Sequence, residues 1–250
     1  MARKRDYWNR KAIMATGADY MLVFGQNCAG KSYQSKDAAI EGDEDAAILG
    51  AIKGERFFYL RRMVTEINQN KATMYFEDMD IHKLTGGEWD GIEALQGLYY
   101  FWRLNEKGKK ERSEYIGAYG SLYDWQKIKS VAWVNFKLII FEEFIAADYY
   151  LDDEPTKLQR VVTAIFRDHK GKVLMLGNTI SRTCPYFLEW CPNVIKQQPG
   201  TIEIYNMHDE TGEGIEIKIA CEYTGHVKGS GSMFFGQASK AIMAGEWDVK

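Results

Sequence analysis

This sequence is short of the features that would classify it at a glance. No apolar run approaches the ~20 residues that cross a bilayer, so no transmembrane helix is expected. The N-terminal stretch Met1-Ala-Arg-Lys-Arg-Asp-Tyr-Trp8 has no apolar signal core, which points to an intracellular protein. Only four cysteines occur (Cys28, Cys184, Cys191, Cys221), none in Cys-x-x-Cys spacing. Reduced thiols are expected, and structural zinc is not. The four histidines (His82, His169, His208, His226) are scattered and form no helical ligand pair. With a net charge of −3 there is no global positive field, so any nucleic-acid contact must come from a local basic surface. What is present is 250 residues, 46% hydrophobic and 27% charged, the balance of a soluble globular chain with one sizeable domain and an appendage.

One stretch organises the rest. The apolar run Met21 to Phe24 ends in Gly25-Gln26-Asn27-Cys28-Ala29-Gly30-Lys31-Ser32, and a helix-compatible segment, Tyr33 to Ala39, follows. This Gly-x-x-x-x-Gly-Lys-Ser pattern between strand and helix is the setting of a phosphate-binding loop. Gly25 and Gly30 let the backbone fold back so that successive N–H groups face one anion-sized hollow, and the helix N-terminus adds its positive dipole end. Lys31 would reach the β- and γ-phosphates of ATP, and Ser32 would place its hydroxyl on Mg²⁺.

A second stretch is Leu138-Ile-Ile-Phe141-Glu142-Glu143. Its continuous apolar run reads as a central parallel strand covered on both faces, with two carboxylates at the C-terminal tip where ligands bind in open α/β sheets. Glu142 would hold Mg²⁺, through water, and Glu143 would orient and deprotonate an attacking water. The bland alternative is a pair of acids opening the next helix.

The remaining elements are read more coarsely. Glu41 to Asp45 reads as a turn with cap residues, then a short helix to Ile52 and a strand Arg56 to Leu60 ending in Arg61-Arg62, which either face solvent or face phosphate. Thr65 to Met79 has mixed helical periodicity. Leu98 to Leu104 and Glu114 to Leu122 form a β-hairpin around a polar turn, Asn105 to Lys110, whose lysines 107, 109 and 110 read first as a solvated tip and second as a DNA-backbone contact. A helix opens at Glu154-Pro155 with Leu158, Val161, Val162, Ile165 and Phe166 on one face and Arg160 and Arg167 on the polar side. Lys172 to Gly177 is a buried strand; Asn178, Thr179 and Ser181 at its tip either sense a γ-phosphate or cap a turn. Thr201 to Tyr205 and Ile215 to Ala220 are further strands, followed by a Gly-rich loop at Lys228–Ser232 and a helix around Gln237–Met243. In the basic segment Arg3 to Lys11, Tyr7 and Trp8 belong either to a solvated tail or against a nucleotide base.

Taken together, Gly25 to Ser32, Phe58-Tyr-Leu-Arg61-Arg62, Leu138 to Ile145, Ile165-Phe166-Arg167, Leu176 to Ser181 and Cys184-Pro-Tyr-Phe-Leu188 resemble the DNA-encapsidation (packaging) ATPases of φ29-like tailed phages, in the terminase large-subunit superfamily. The resemblance covers roughly residues 15 to 205. It implies an α/β P-loop NTPase fold of the additional-strand (ASCE) type, with a mostly parallel central sheet flanked by helices and an inserted β-hairpin. It implies residues 1–205 as the ATPase domain, with 206–250 a lid or linker toward a vestigial nuclease-like domain not contained in this chain. The activity implied is ATP hydrolysis driving double-stranded DNA into a procapsid from its portal vertex, in the host cytoplasm. The machine implied is a homo-oligomeric ring, a pentamer, with a packaging RNA as a further partner and no membrane. Arg167 matches the family's trans-acting arginine, with Arg160 as the fallback. Arg61 and Arg62 match an arginine pair after the second strand, and Asn178 matches the motif that couples hydrolysis to movement. The family commonly has Asp where this chain has Glu142, which puts the metal geometry in question. Two other classes compete: another P-loop hydrolase or kinase, and a nucleotide-binding structural subunit without turnover. The missing Asn-Lys-x-Asp motif weighs against a GTPase, Glu143 against a kinase, and Lys31 with Glu143 against an inert subunit.

Overall fold

The computed structural model describes residues 7–147, 149–167, 170–181, 183–191, 193–208, 216–225 and 247. In chain order the elements are α1 (Lys11–Met14), β1 (Tyr20–Gly25), α2 (Lys31–Glu41), β2 (Arg56–Arg61), α3 (Gln69–Met74), α4 (Ile81–Leu84), β3 (Gly91–Leu95), β4 (Leu98–Leu104), β5 (Lys110–Ser121), α5 (Trp125–Lys129), β6 (Phe136–Glu142), α6 (Glu154–Phe166), β7 (Lys172–Asn178), α7 (Pro185–Trp190), β8 (Thr201–His208) and β9 (Glu216–Tyr223). This is an α/β chain. It divides into two compact units: residues 1–35, 141–155 and 172–250 in the first, 36–140 and 156–171 in the second.

In the first unit β1 lies between two parallel neighbours, β7 and β9, and β8 closes the edge antiparallel to β9. Met21 to Phe24 are wholly buried, as a strand flanked on both edges and covered on both faces must be. Phe24 anchors an aromatic cluster with Phe187, Tyr223 and Trp247, ring centroids 5.1, 5.1 and 5.4 Å away. Fully burying one such side chain is worth about 1.5–3 kcal/mol. The register matters for function. Gly25, the last residue of β1, pairs with Asn178, the last of β7, so two strand tips finish level.

The second unit pairs β2 parallel with β5 and continues through the antiparallel meander β5-β4-β3. The hairpin read from the sequence is therefore present. Its turn closes because Asn105 accepts from the Lys107 and Lys109 amides, both at 3.0 Å, while Gly108 takes φ +70°. The third strand, β3, was not anticipated. Phe57, Phe76 and Tyr99 pack edge and face in its core, with centroids 5.3–5.5 Å apart. Helix α6 buries Leu158, Val161, Ile165 and Phe166 of the face its spacing predicts and leaves Val162 half-buried at its edge.

One expected element is absent. Between Glu41 and Ile52 there is no α-helix; Asp43 and Ile48 instead exchange backbone hydrogen bonds of 2.7 and 2.9 Å around a tight turn. Gly42 and Gly50 sit at φ +86° and +81°, so the chain reverses there, and a side chain at either would meet backbone within 2.4 Å. The expected loop at 228–232 and helix at 237–243 lie outside the described residues.

Candidate active site

The loop after β1 has the conformation that its glycines predict. Gly25 and Gly30 take φ +146° and +89°, and a Cβ on Gly25 would lie 2.0 Å from Thr224 Oγ1. Cys28, exposed at the loop's turn, adopts φ +59° without being glycine. Lys31 opens α2 with its side chain folded inward. Its ammonium donates to the Gln26 carbonyl (2.7 Å), the Gly25 carbonyl (3.4 Å) and Asn178 Oδ1 (3.1 Å). Burial pulls its pKa down to about 8, against the opposing pull of Cys28 and Glu142.

The acids at the tip of β6 reach the same place. Lys31, Ser32, Glu142, Glu143, Leu176, Gly177 and Asn178 line one cavity of about 70 Å³. Glu142 ends the strand buried, whereas Glu143 is exposed and turns the chain at φ +58°. A left-handed non-glycine residue costs on the order of 1–2 kcal/mol, and the next two residues hold it in place. The Phe144 amide donates to the Leu176 carbonyl at 3.1 Å, and Phe144 and Ile145 pack over Gly177, where a Cβ would come within 3.0 Å. Gly177 is thus required for the turn that presents Glu143. The acids do not open a helix, so that alternative is removed.

Ser32, Glu142 and Glu143 offer an all-oxygen donor set to the cavity, the kind Mg²⁺ prefers while keeping several of its waters. No cluster of three or more His, Cys, Asp or Glu suited to a metal occurs among the described residues, so a metal here would rely on water and ligand oxygens. The side chain of Asn178 hydrogen-bonds Lys31 rather than capping a turn, a link across 147 positions that no local pattern reveals.

The other candidates belong to the second unit. Arg167, exposed and at φ +46° just past α6, donates to the Val131 carbonyl at 3.1 Å. Arg160 lies over the Trp125 ring at 5.1 Å. Arg61 faces Glu66 at 3.5 Å, and Arg62 is buried. At the hairpin, Lys110 pairs with Glu93.

Trp8, near the N-terminus, is buried: its indole donates to Glu222 at 2.8 Å and its amide to the Ala29 carbonyl at 2.8 Å. The solvated-tail alternative therefore fails for Trp8. Glu222 was missed altogether; its only sequence signal was a carboxylate directly after the apolar run Ile219 to Cys221. The four thiols are free, with Cys191 and Cys221 in buried contact at 2.7 Å between their sulfurs.

Known proteins share this arrangement of strands. The N-terminal domain of the DNA packaging ATPase from bacteriophage phi29 superimposes with a TM-score of 0.57 at 22% identity, over 86% of this chain and 95% of that one. The Phi-28 gp11 DNA packaging motor gives 0.58 at 16% identity, over 92% of this chain and 62% of that one. At such identities the likeness is one of fold. In sequence, the DNA packaging proteins of Bacillus phages phi29 and PZA are each 27% identical over 214 residues, 82% of this chain and 54% of theirs. The chain therefore spans about half the length of these curated relatives. The profile of the podovirus DNA encapsidation protein (Gp16) matches residues 2–226, and the chain belongs to that family.

Proposed function

We propose that this chain is the ATP-hydrolysing domain of a phage DNA-packaging motor. The observation that carries the reading is the meeting of Lys31, Ser32, Glu142 and Glu143 around one cavity at the level strand tips of β1 and β7. The backbone amides of Gly25 to Gly30 would cradle the β-phosphate, with Gln26, Asn27, Cys28 and Ala29 supplying main chain rather than side chains. Lys31 would exchange its carbonyl contacts for phosphate oxygens, and Ser32 and Glu142 would hold Mg²⁺. Bound there, Mg²⁺ supplies neutralisation of the phosphate charge. Glu142 carries one methylene more than Asp, a difference that a bridging water accommodates. Glu143, on its exposed turn, is placed to orient water and take its proton.

The two edges of β1 are occupied by β7 and β9, so the acid-bearing β6 is not its direct neighbour. That ordering supports an additional-strand P-loop NTPase. Asn178 touches the lysine that would sense the γ-phosphate, which supports its role as the coupling residue. We assign Arg167 as the arginine donated to a neighbouring subunit in a homo-oligomeric ring, a pentamer, with Arg160 the fallback. Arg167 would first leave the Val131 carbonyl. The partners of this reading are double-stranded DNA, the portal vertex of the procapsid and a packaging RNA, with the work done in the host cytoplasm. Among the described residues no helix is long and apolar enough to cross a membrane. The ATPase domain of this reading extends past residue 205 to take in β8 and β9, because β9 pairs with β1, and the lid or linker begins after them.

The deciding experiment is Glu143→Gln. DNA-dependent ATP hydrolysis should fall by roughly 10²–10⁴-fold while ATP binding persists. Undiminished hydrolysis would remove the assignment.

A further inference from the structure

The chain approaches β1 through a strap, residues 7–14, that is tied to the loop from outside. The Trp8 amide donates to the Ala29 carbonyl at 2.8 Å. Tyr7 lies against Gly30, its Cβ and ring 3.2 Å from where a Gly30 Cβ would stand. Arg10 donates from its backbone and its guanidinium to Gln34 Oε1, at 3.5 and 3.4 Å, within the first turns of α2. The strap thus grips three points of the loop and its helix.

Within a trans peptide the C=O and the following N–H point in opposite directions. Holding the Ala29 carbonyl on the strap therefore turns the Gly30 N–H away from it, toward the loop's own hollow. The orientation of that donor depends on where Trp8 sits, and Trp8 is held in turn by its indole. The indole is buried and has one N–H, which needs an acceptor. Glu222 Oε1 provides it at 2.8 Å, from the strand that pairs directly with β1, two residues before the loop begins.

Glu222 is an expensive acceptor. It is 9% exposed, and its second oxygen finds no partner among the described residues. Packing alone would favour a neutral residue there. We propose that Glu222 is a positioning residue for the phosphate loop, acting through Trp8 to fix the Ala29–Gly30 peptide in its anion-binding orientation. This rests on the reading of the loop as a triphosphate site.

The test is the affinity of wild type and variants for a fluorescent ATP analogue with Mg²⁺, together with KM and kcat at pH 8. Trp8→Phe keeps the ring and removes the donor; Glu222→Leu removes the acceptor. Each should raise Kd and KM by roughly tenfold, the order expected for losing one hydrogen bond to a charged group, with kcat at saturation within about twofold. Glu222→Gln, which keeps an acceptor oxygen, should rescue the affinity. The double variant should bind no worse than either single one, because both break the same link. A merely structural role would lower the melting temperature and kcat and leave KM alone, and that result overturns the proposal. So do unchanged Kd values in Trp8→Phe, or additive losses in the double variant. If Glu222→Leu does not fold, Trp8→Phe decides alone. Lys31→Ala separates the two levels. If it abolishes binding while the strap variants bind normally, only the strap proposal falls; if it binds like wild type, the triphosphate reading falls first.

Discussion

The two units lean on charge differently. In the first, several buried ionisable groups take neutral hydrogen-bond partners: Lys31 two carbonyls and an amide, Glu222 an indole, Glu154 the Leu151 amide and the Tyr186 hydroxyl, alongside the ion pair of Lys172 with Asp19. In the second, charges cancel one another. Glu93 takes both Lys110 and Arg112, Glu111 takes Arg103, and Asp124 takes Lys127. A cation held by neutral carbonyls, as Lys31 is, can turn its charge to an anionic ligand. A paired ion has spent it locally. The first arrangement suits chemistry and the second suits a soluble scaffold.

The sharpest challenge to that division is Arg167, a second-unit charge assigned to the chemistry of a neighbouring subunit. Arg167→Ala should reduce hydrolysis by about 10³-fold or more where rings form, measured as DNA-stimulated phosphate release. A rate that ignores this change would leave the division intact and remove the trans-arginine assignment. Next is Glu154, whose Oε2 accepts from the Leu151 amide at the turn into α6 while Oε1 accepts from Tyr186 on α7. Glu154→Ala removes the acceptor seen for a buried amide and for a buried hydroxyl and should cost about 2–4 kcal/mol in urea unfolding. A loss under about 1 kcal/mol would show that the neutral partners carry little.

Glu222 gives the comparison a pH dependence. Burial pushes its carboxyl up to about 7, against the downward pull of the Trp8 hydrogen bond. The unfolded chain releases this proton near 4.5, so between there and 7 the folded state binds more protons and stability falls as pH rises. Glu222→Gln should therefore stabilise the protein by about 2–3 kcal/mol at pH 8 and by almost nothing below pH 4.5. A constant difference at all pH values would refute the assignment. The smallest effect belongs to Glu93. Burial alone would raise its pKa, but the hydrogen bonds from Lys110 and Arg112 win and hold it below the usual carboxylate range. Its contribution is present at neutral pH and is lost as acid protonates it. Glu93→Gln should cost less than about 1 kcal/mol and leave ATP turnover untouched; a catalytic defect would mean that the meander does more than support.

What was legible in the sequence was local. The apolar runs of β1, β6 and β7, the glycines of the loop and the adjacent acids announce themselves within a dozen residues each. The one helix misread, between Glu41 and Ile52, fails because Gly42 and Gly50 at positive φ close a turn that cap residues seemed to open. β3 escaped notice because it is five residues long and gains its place from pairing with β4. The hydrogen bonds Lys31–Asn178 and Trp8–Glu222 span most of the chain, and no periodicity encodes them. Glu143 was legible as an acid, yet its left-handed backbone was not, because that depends on Gly177 accepting Phe144 and Ile145.

Gly25 and Thr224 meet so closely that a methyl group on the glycine would overlap the threonine hydroxyl. The opening of the loop is therefore written twice in this chain, once near its start and once at the far end of β9. A smaller residue at 224 would not by itself admit a side chain at 25, because φ +146° strains any residue but glycine there; backbone and neighbour guard the mouth of the loop independently.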